Sequence, residues 1–346
     1  MKKKSLLGAA VAAVAVLAVA GTAGAANART ADDSITGAGS SFVSPLVGQW
    51  INDYGTKAGI SITYGPVGSG AGIAAVTART VDFGASDAPL TPDQATACKD
   101  CVQIPWALSA TSIAYNIPGV KNNLKITGPI IADIYLGNIK KWNDAAITAL
   151  NPGVSLPDLD ITPVYRSDGS GTSYNFTDYL SKVSPSFASS IGKSTQPPLK
   201  VGVGARGSAG VAGVVARTSG ALTYVDVAFA LKNKLFFFAV KNAAGNFTLP
   251  GIKQITAAAS TVTSVPADNA LSIVDPAAAA KDAYPICTFT WIIIPRTASK
   301  AVTVKKFVLY AISPFGQKLG QPLVFAQLPK VVAVAANKTI ATIKAS

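Results

Sequence analysis

The sequence predicts an α/β fold, because one construction occurs three times: a short strand, a turn rich in Gly and Ser, and an amphipathic helix. The first runs from Ser34-Ile35-Thr36 through Gly37-Ala38-Gly39-Ser40-Ser41-Phe42 into a helix. The second joins a strand at 60–64 to a short helix at 73–79 through Gly65-Pro66-Val67-Gly68-Ser69-Gly70-Ala71-Gly72. In the third, a strand at 160–165 passes through Arg166-Ser167-Asp168-Gly169-Ser170-Gly171-Thr172-Ser173 into a helix at 174–181. The first N–H groups of a helix have no partner inside it and the helix dipole is positive there, so such a junction suits an oxyanion. Ser170 and Thr172 add hydroxyls, and Gly169 and Gly171 admit the ligand to the backbone. Arg166 offers a planar fork of donors that Asp168 can hold in place.

In chain order, Val43, Leu46, Val47, Trp50, Ile51 and Tyr54 recur at i, i+3, i+4, i+7, i+8 and i+11, which is one face of the first helix. Val81-Asp82-Phe83-Gly84-Ala85 is a strand ending at Ser86-Asp87-Ala88-Pro89. Asp87 stands either at the carboxyl end of that strand, where open α/β sheets place ligand-contacting residues, or as the cap of the Pro92-Asp93-Gln94 turn. An apolar run over 106–116 precedes the Pro118-Gly119 break, and 130–136 and 145–150 read as helices around Trp142-Asn143-Asp144. Gly202-Val203-Gly204-Ala205-Arg206-Gly207 has G-x-G-x-x-G spacing with Asp226 downstream, but the strand before it is minimal. A flexible entry to a helix over 211–217 accounts for it better than a dinucleotide site. Residues 243–283, rich in Ala, Ser, Thr and Pro, are expected as loops with a helix or two. Cys287 is a small buried filler in a strand over 286–295, and 307–312 and 331–343 are closing helices.

The chain of 346 residues suffices for one large or two ordinary domains. Lys2-Lys3-Lys4, the apolar or small run over 6–20 and Ala26-Asn27-Ala28 read as a secretory signal peptide spanning 1–28; the run is short and Ala-rich for a transmembrane anchor. No Cys follows it to carry lipid. The mature protein is therefore expected to be exported, in a periplasm or at the cell surface, non-lipidated and not membrane-spanning. The whole chain's formal charge of +13, which is +10 without Lys2, Lys3 and Lys4, favours anions, yet the basic residues are dispersed and form no stripe interleaved with aromatics, which argues against nucleic acid. Cys98-Lys99-Asp100-Cys101 could close a small disulfide loop, whereas a redox-active C-x-x-C needs a thioredoxin-like setting not seen here. The chain has no His, which removes Ser-His-Asp and Cys-His hydrolases and His-ligated zinc. With no tight carboxylate cluster and no base beside Ser41, Ser69 or Ser170, no enzymatic activity, metal or cofactor is expected.

Four motifs carry a resemblance: Gly37-Ala38-Gly39-Ser40-Ser41-Phe42; Val81 through Leu90; Asp133-Ile134-Tyr135-Leu136-Gly137 with Lys141-Trp142-Asn143-Asp144; and Arg166 through Ser173. In this order, and over nearly the whole chain from Ser34, the sequence resembles the phosphate-binding protein of phosphate ABC importers, the PstS family. The resemblance implies a type II periplasmic-binding-protein fold, two α/β lobes joined by two crossing segments with phosphate in the cleft. The first lobe would take residues 29–115 and 285–346, and the second 116–284. Carried over, the phosphate shell would be Ser41 and the Phe42 N–H, Ser69, Asp87, Arg166, Ser170, Gly171 and Thr172, with Asp168 pairing the arginine. Ser41 stands where threonine is common, which keeps the hydroxyl. The loop over 204–210 lacks the Asn-Asp pair often found in the family. The expected partners are inorganic phosphate and the importer's membrane permease, with the binding protein a monomer. A carboxylate at Asp87 would favour phosphate, which brings a proton, over sulfate, which has none.

Overall fold

The computed structural model describes residues 34–120 and 124–345, so the signal-peptide reading of 1–28 lies outside the described residues. The chain opens with β1 (Ser34–Gly39), α1 (Ser44–Ala58), β2 (Ser61–Gly65), α2 (Ser69–Thr77), β3 (Phe83–Ser86), α3 (Pro92–Ala97) and the long β4 (Cys101–Tyr115). There follow β5 (Lys125–Ile126), α4 (Gly128–Leu136), α5 (Ala145–Thr148), β6 (Thr162–Arg166), α6 (Gly171–Val183) and α7 (Pro185–Ser190). Next come β7 (Val203–Ala205), α8 (Gly207–Arg217), β8 (Ala221–Asp226), α9 (Val227–Lys232), β9 (Phe236–Phe237) and β10 (Ala239–Lys241). The chain then forms β11 (Phe247–Thr248), α10 (Ile252–Ala259) and β12 (Ile273–Val274), and returns through β13 (Ile286–Pro295) to α11 (Ala301–Ala311), α12 (Pro314–Lys318) and α13 (Lys330–Ala341).

The main sheet runs β2-β1-β3-β13-β4-β8-β6-β7. Strands β2, β1 and β3 are mutually parallel, as are β8, β6 and β7, while β13 and β4 form an antiparallel pair between the two sets. Strand β4 pairs with β13 from Cys101 to Ala110 and with β8 from Thr111 to Tyr115, so one strand serves both halves. Its side chains, like those of β13, are buried almost without alternation, as expected of strands covered on both faces.

Each half has its own aromatic core. In the first, Trp106 packs on Trp50, Phe83 and Phe307 with ring centroids 5.0, 6.2 and 6.4 Å apart. In the second, Phe176 from α6 stacks on Tyr224 from β8 at 4.1 Å and meets Tyr135 from α4 edge-on at 5.0 Å. These contacts fix α6 against the sheet and thereby set where its first turn points.

The α1 face forms as its spacing predicts, with Val43, Leu46, Val47 and Trp50 buried, and β13 has the expected bounds. Helix α2 starts at Ser69, four residues earlier than expected, and carries Gly72 against β1, where a Cβ would lie 2.3 Å from the Gly39 Cα. The G-x-G-x-x-G stretch is spread over a strand and a helix start, with Gly204 inside β7 and Gly207 the first residue of α8, so it forms no phosphate-cradling loop. Asp226 instead caps α9, accepting from the Ala228 N–H at 2.9 Å. Residues 243–283 contain one helix, α10, and the short β11 and β12. Cys98 and Cys101 are joined in a disulfide, and Cys287 is buried. Among the described residues no helix is long and apolar enough to cross a membrane.

Candidate functional site

The carboxyl ends of β1 and β3 in one half face the carboxyl end of β6 in the other, and helices α1, α2 and α6 start beside them. Asp87 is the first residue past β3, 2% exposed. It does not cap α3; Thr91 does, accepting from the Gln94 N–H at 3.2 Å. Asp87 Oδ1 accepts from Ser40 Oγ at 2.5 Å, and its N–H donates to Ser69 Oγ at 3.3 Å. Burial pushes the Asp87 carboxyl up to about 7, against the downward pull of the Ser40 hydrogen bond, the Arg166 charge and the Ser69 hydrogen bond.

Arg166 ends β6 and is 3% exposed. Its Nε and Nη2 donate to the two oxygens of Asp168 at 2.7 and 2.5 Å, a fork-on-fork pair, and Nη1 reaches Thr172 Oγ1 at 3.5 Å. Asp168 Oδ1 also accepts from the Gly207 N–H at 3.0 Å. Burial raises the Asp168 carboxyl, but the Arg166 hydrogen bonds and charge outweigh it and hold the group below the usual carboxylate range. The pair thus fixes the guanidinium while leaving Nη1 turned along the start of α6.

That start is built as a donor cluster. Ser170 caps α6, its Oγ accepting from the Ser173 N–H at 3.1 Å. Ser69 Oγ accepts from the Gly171 N–H at 3.1 Å as well as from Asp87. Ser170 and Thr172 accept from N–H groups, so each hydroxyl keeps its own hydrogen to donate, whereas the Ser69 hydroxyl is hydrogen-bonded to the Asp87 carboxyl. Two further contacts join the halves: the Gly70 N–H donates to Gly169 O at 3.0 Å, and Asn175 Nδ2 donates to Asp87 O at 2.6 Å while also donating to Gly171 O of its own helix at 2.8 Å.

Of the residues expected in the shell, the structure brings together Ser69, Asp87, Arg166, Ser170, Gly171 and Thr172, with Asp168 behind the arginine. Ser41 and Phe42 lie beside them at the start of α1, each with a present partner. Ser41 Oγ accepts from the Ser208 N–H and meets Ser208 Oγ, both at 2.9 Å, and the Phe42 N–H donates to Ser40 Oγ at 3.0 Å. Sequence reasoning missed Ser40, Asn175 and Ser208. In the sequence Ser40 shows only as part of a turn, and Asn175, one helical turn beyond Gly171, as a residue on the same face. Ser208 gave no signal, since its loop lacks the polar pair seen in the family.

Two lobes sharing an antiparallel strand pair, with helix starts from both converging on a buried arginine and carboxylate, define a bilobal binding protein, and the PBP superfamily domain matches residues 24–314. The phosphate-binding protein PstS of Xylella fastidiosa Temecula1 is 40% identical over 304 residues, 87% of this chain and 83% of the relative. That of Pasteurella multocida Pm70 is 40% identical over 231 residues, 66% of this chain and 67% of its own. The chain belongs to the PstS family of phosphate-binding proteins. The fold is shared with the periplasmic phosphate-binding protein PfluDING, solved with phosphate, at a TM-score of 0.72 and 21% identity over 88% of this chain and 93% of that one. It is shared too with a Clostridium perfringens protein solved with bound phosphate, at 0.63 and 17% over 86% and 100%.

Proposed function

We propose that this protein captures inorganic phosphate between its lobes and delivers it to the membrane permease of a phosphate ABC importer. The observation that carries the reading is the pairing of one buried cation, Arg166, with one buried proton-reading carboxyl, Asp87, among hydroxyls and helix N–H groups. Arg166 Nη1 and the Ser170 and Thr172 hydroxyls donate to the phosphate oxygens, with N–H groups from Phe42 and Gly171. Ser41 and Ser69 supply hydroxyls from the first lobe. Asp87 accepts the proton that phosphate carries. Phosphate takes over the donors that Ser40, Ser69 and Ser208 now receive from or share.

Binding closes the lobes, because a ligand that bridges both halves binds the closed form better and shifts the population towards it. The hinge is the β4 and β13 pair. The lobes are taken as 29–115 with 285–346 and as 116–284, with β4 passing between them, since it pairs with β13 up to Ala110 and with β8 beyond it. The mature protein is an exported, non-lipidated monomer that acts by binding alone. Calorimetry with inorganic phosphate tests this: one-to-one binding is expected, with no phosphate ester hydrolysed with or without divalent metal. Absence of phosphate binding contradicts it.

A further inference from the structure

The carboxyl of Asp226, at the end of β8, is fully buried where β4 passes from one lobe to the other. Its Oδ1 accepts from the Ala228 N–H at 2.9 Å, and its Oδ2 lies 3.2 Å from Ser109 Oγ of β4. Ser109 Oγ also lies 3.0 Å from Val324 O, in the turn between α12 and α13 of the first lobe. A hydroxyl has one hydrogen, and the Val324 carbonyl can only accept. Both contacts are full hydrogen bonds only if Asp226 Oδ2 carries a proton and donates it to Ser109. The surroundings agree. Asp226 makes no ion pair among the described residues, and the Thr111 hydroxyl, directly across from it on β4, donates nothing to it. Burial raises the Asp226 carboxyl well above its ordinary value, more than the hydrogen bonds from Ala228, Ser109 and Phe229 lower it, and the Asp87 charge raises it further.

We infer that Asp226 is a neutral carboxylic acid that latches the hinge in its closed form, a positioning residue for phosphate binding. Its O–H donates to Ser109 Oγ and the Ser109 hydrogen goes on to Val324 O, so one chain joins the second lobe, the crossing strand and the first lobe. The inference rests on the phosphate reading above. Strand β4 changes partner from β13 to β8 between Ala110 and Thr111, just past Ser109, so a rotation of the lobes about that point draws Asp226 away from Ser109 and Val324. The turn that receives the chain is held firmly. Val324 has a left-handed φ of 60°, costly for a β-branched residue, and the Ala326 N–H donates to Leu108 O at 2.9 Å. Between them Phe325 meets Phe42 edge-on at 6.1 Å, and the Phe42 N–H is one of the phosphate donors of that reading. Neutrality matters as much as contact: a charge at Asp226 that acts on Asp87 would also act on an anion beside it, so ionisation would both break the latch and repel the ligand.

Infrared spectroscopy and calorimetry test this together. At about pH 8, well above the ordinary carboxyl range, phosphate-loaded protein should show a protonated-carboxyl C=O band that Asp226→Asn lacks. Ser109→Ala breaks the chain and should weaken the phosphate Kd about 3- to 10-fold, the worth of roughly one hydrogen bond. Asp226→Asn turns an amide N–H to Ser109 in place of the acid O–H, so it restores the latch and should hold the Kd within about twofold. Absence of the band, or a Ser109→Ala protein that binds as tightly as the unaltered one, overturns the inference and leaves the phosphate reading intact. Should Ser109→Ala fail to fold, Asp226→Asn still decides, since a Kd weakened about tenfold or more would mean that Asp226 works as a charge. Unaltered protein that does not bind phosphate removes the phosphate reading and the latch with it.

Discussion

A Cβ on Gly171 would stand 2.6 Å from the carbonyl carbon of Asp87, so the start of α6 in one lobe lies directly against the end of β3 in the other. The close approach is what lets the Gly171 N–H reach Ser69 and brings Asp87 beside the α6 donors. Gly171→Ala should therefore hold the lobes apart. Overpacking costs about 1–3 kcal/mol, roughly a 5- to 150-fold weaker phosphate Kd, with each lobe still folded. Gly48, which has open space around it, is the control: Gly48→Ala should leave the Kd unchanged. Equal affinity for both variants would contradict this packing argument.

Arg166→Ala removes the buried cation and leaves the Asp168 carboxylate facing the anion. The loss is about 2–5 kcal/mol, since truncating one partner of a buried charge pair strands the other. Arg166→Lys should recover little, because an ammonium cannot make the two-pronged contact with Asp168. Calorimetry giving an unchanged Kd for Arg166→Ala would put the site elsewhere.

The parts of this site that were legible in the sequence are those written in local chemistry. Ser170 caps α6, Asp168 holds Arg166 two residues away, and Asp87 follows a strand; each lies within a few positions of its own signal. The contacts that shape the cleft are long-range. Ser41 meets Ser208 across 167 positions and Asn175 meets Asp87 across 88, and no spacing rule reaches so far. Gly72 is another such case, since the Gly39 backbone of β1 leaves no room for a Cβ there.

Ser208 donates its N–H to Ser41 and shares a hydroxyl contact with it, so Ser208→Ala removes the side-chain half of an interlobe clasp. The expected effect is about 0.5–1.5 kcal/mol in phosphate affinity, the net worth of one hydrogen bond. Asp168→Asn, which loosens Arg166, should cost more. If the two variants are equally harmless in calorimetry, closure does not depend on these contacts.

Asp87 makes the ligand-free protein pH-sensitive. Its carboxyl is raised from 3.8 to about 7, so the folded state holds the proton more tightly than the unfolded chain. That contribution to stability is fully present below the ordinary carboxyl value and is lost as pH rises through about 7. Thermal melts of phosphate-free protein should fall relative to Asp87→Asn as pH rises from acid to neutral, by a few kcal/mol in total. Parallel pH profiles for the two proteins would mean that Asp87 is not the group holding that proton.

The central claim is that Asp87 reads a proton carried by the ligand. Phosphate brings that proton, whereas sulfate can meet Asp87 favourably only when the carboxyl itself is protonated. Competition calorimetry with phosphate and sulfate, from about pH 6 to about pH 9, tests this directly. With Asp87 at about 7, sulfate affinity should drop tenfold per pH unit on the alkaline side while phosphate holds. By about pH 9 phosphate should lead by at least ~10², rising towards the 10⁴–10⁵ of a site that demands a hydrogen bond. In Asp87→Asn the pH dependence should vanish. A sulfate affinity within about tenfold of phosphate and flat across this range, only about 1.4 kcal/mol apart, would contradict the assignment.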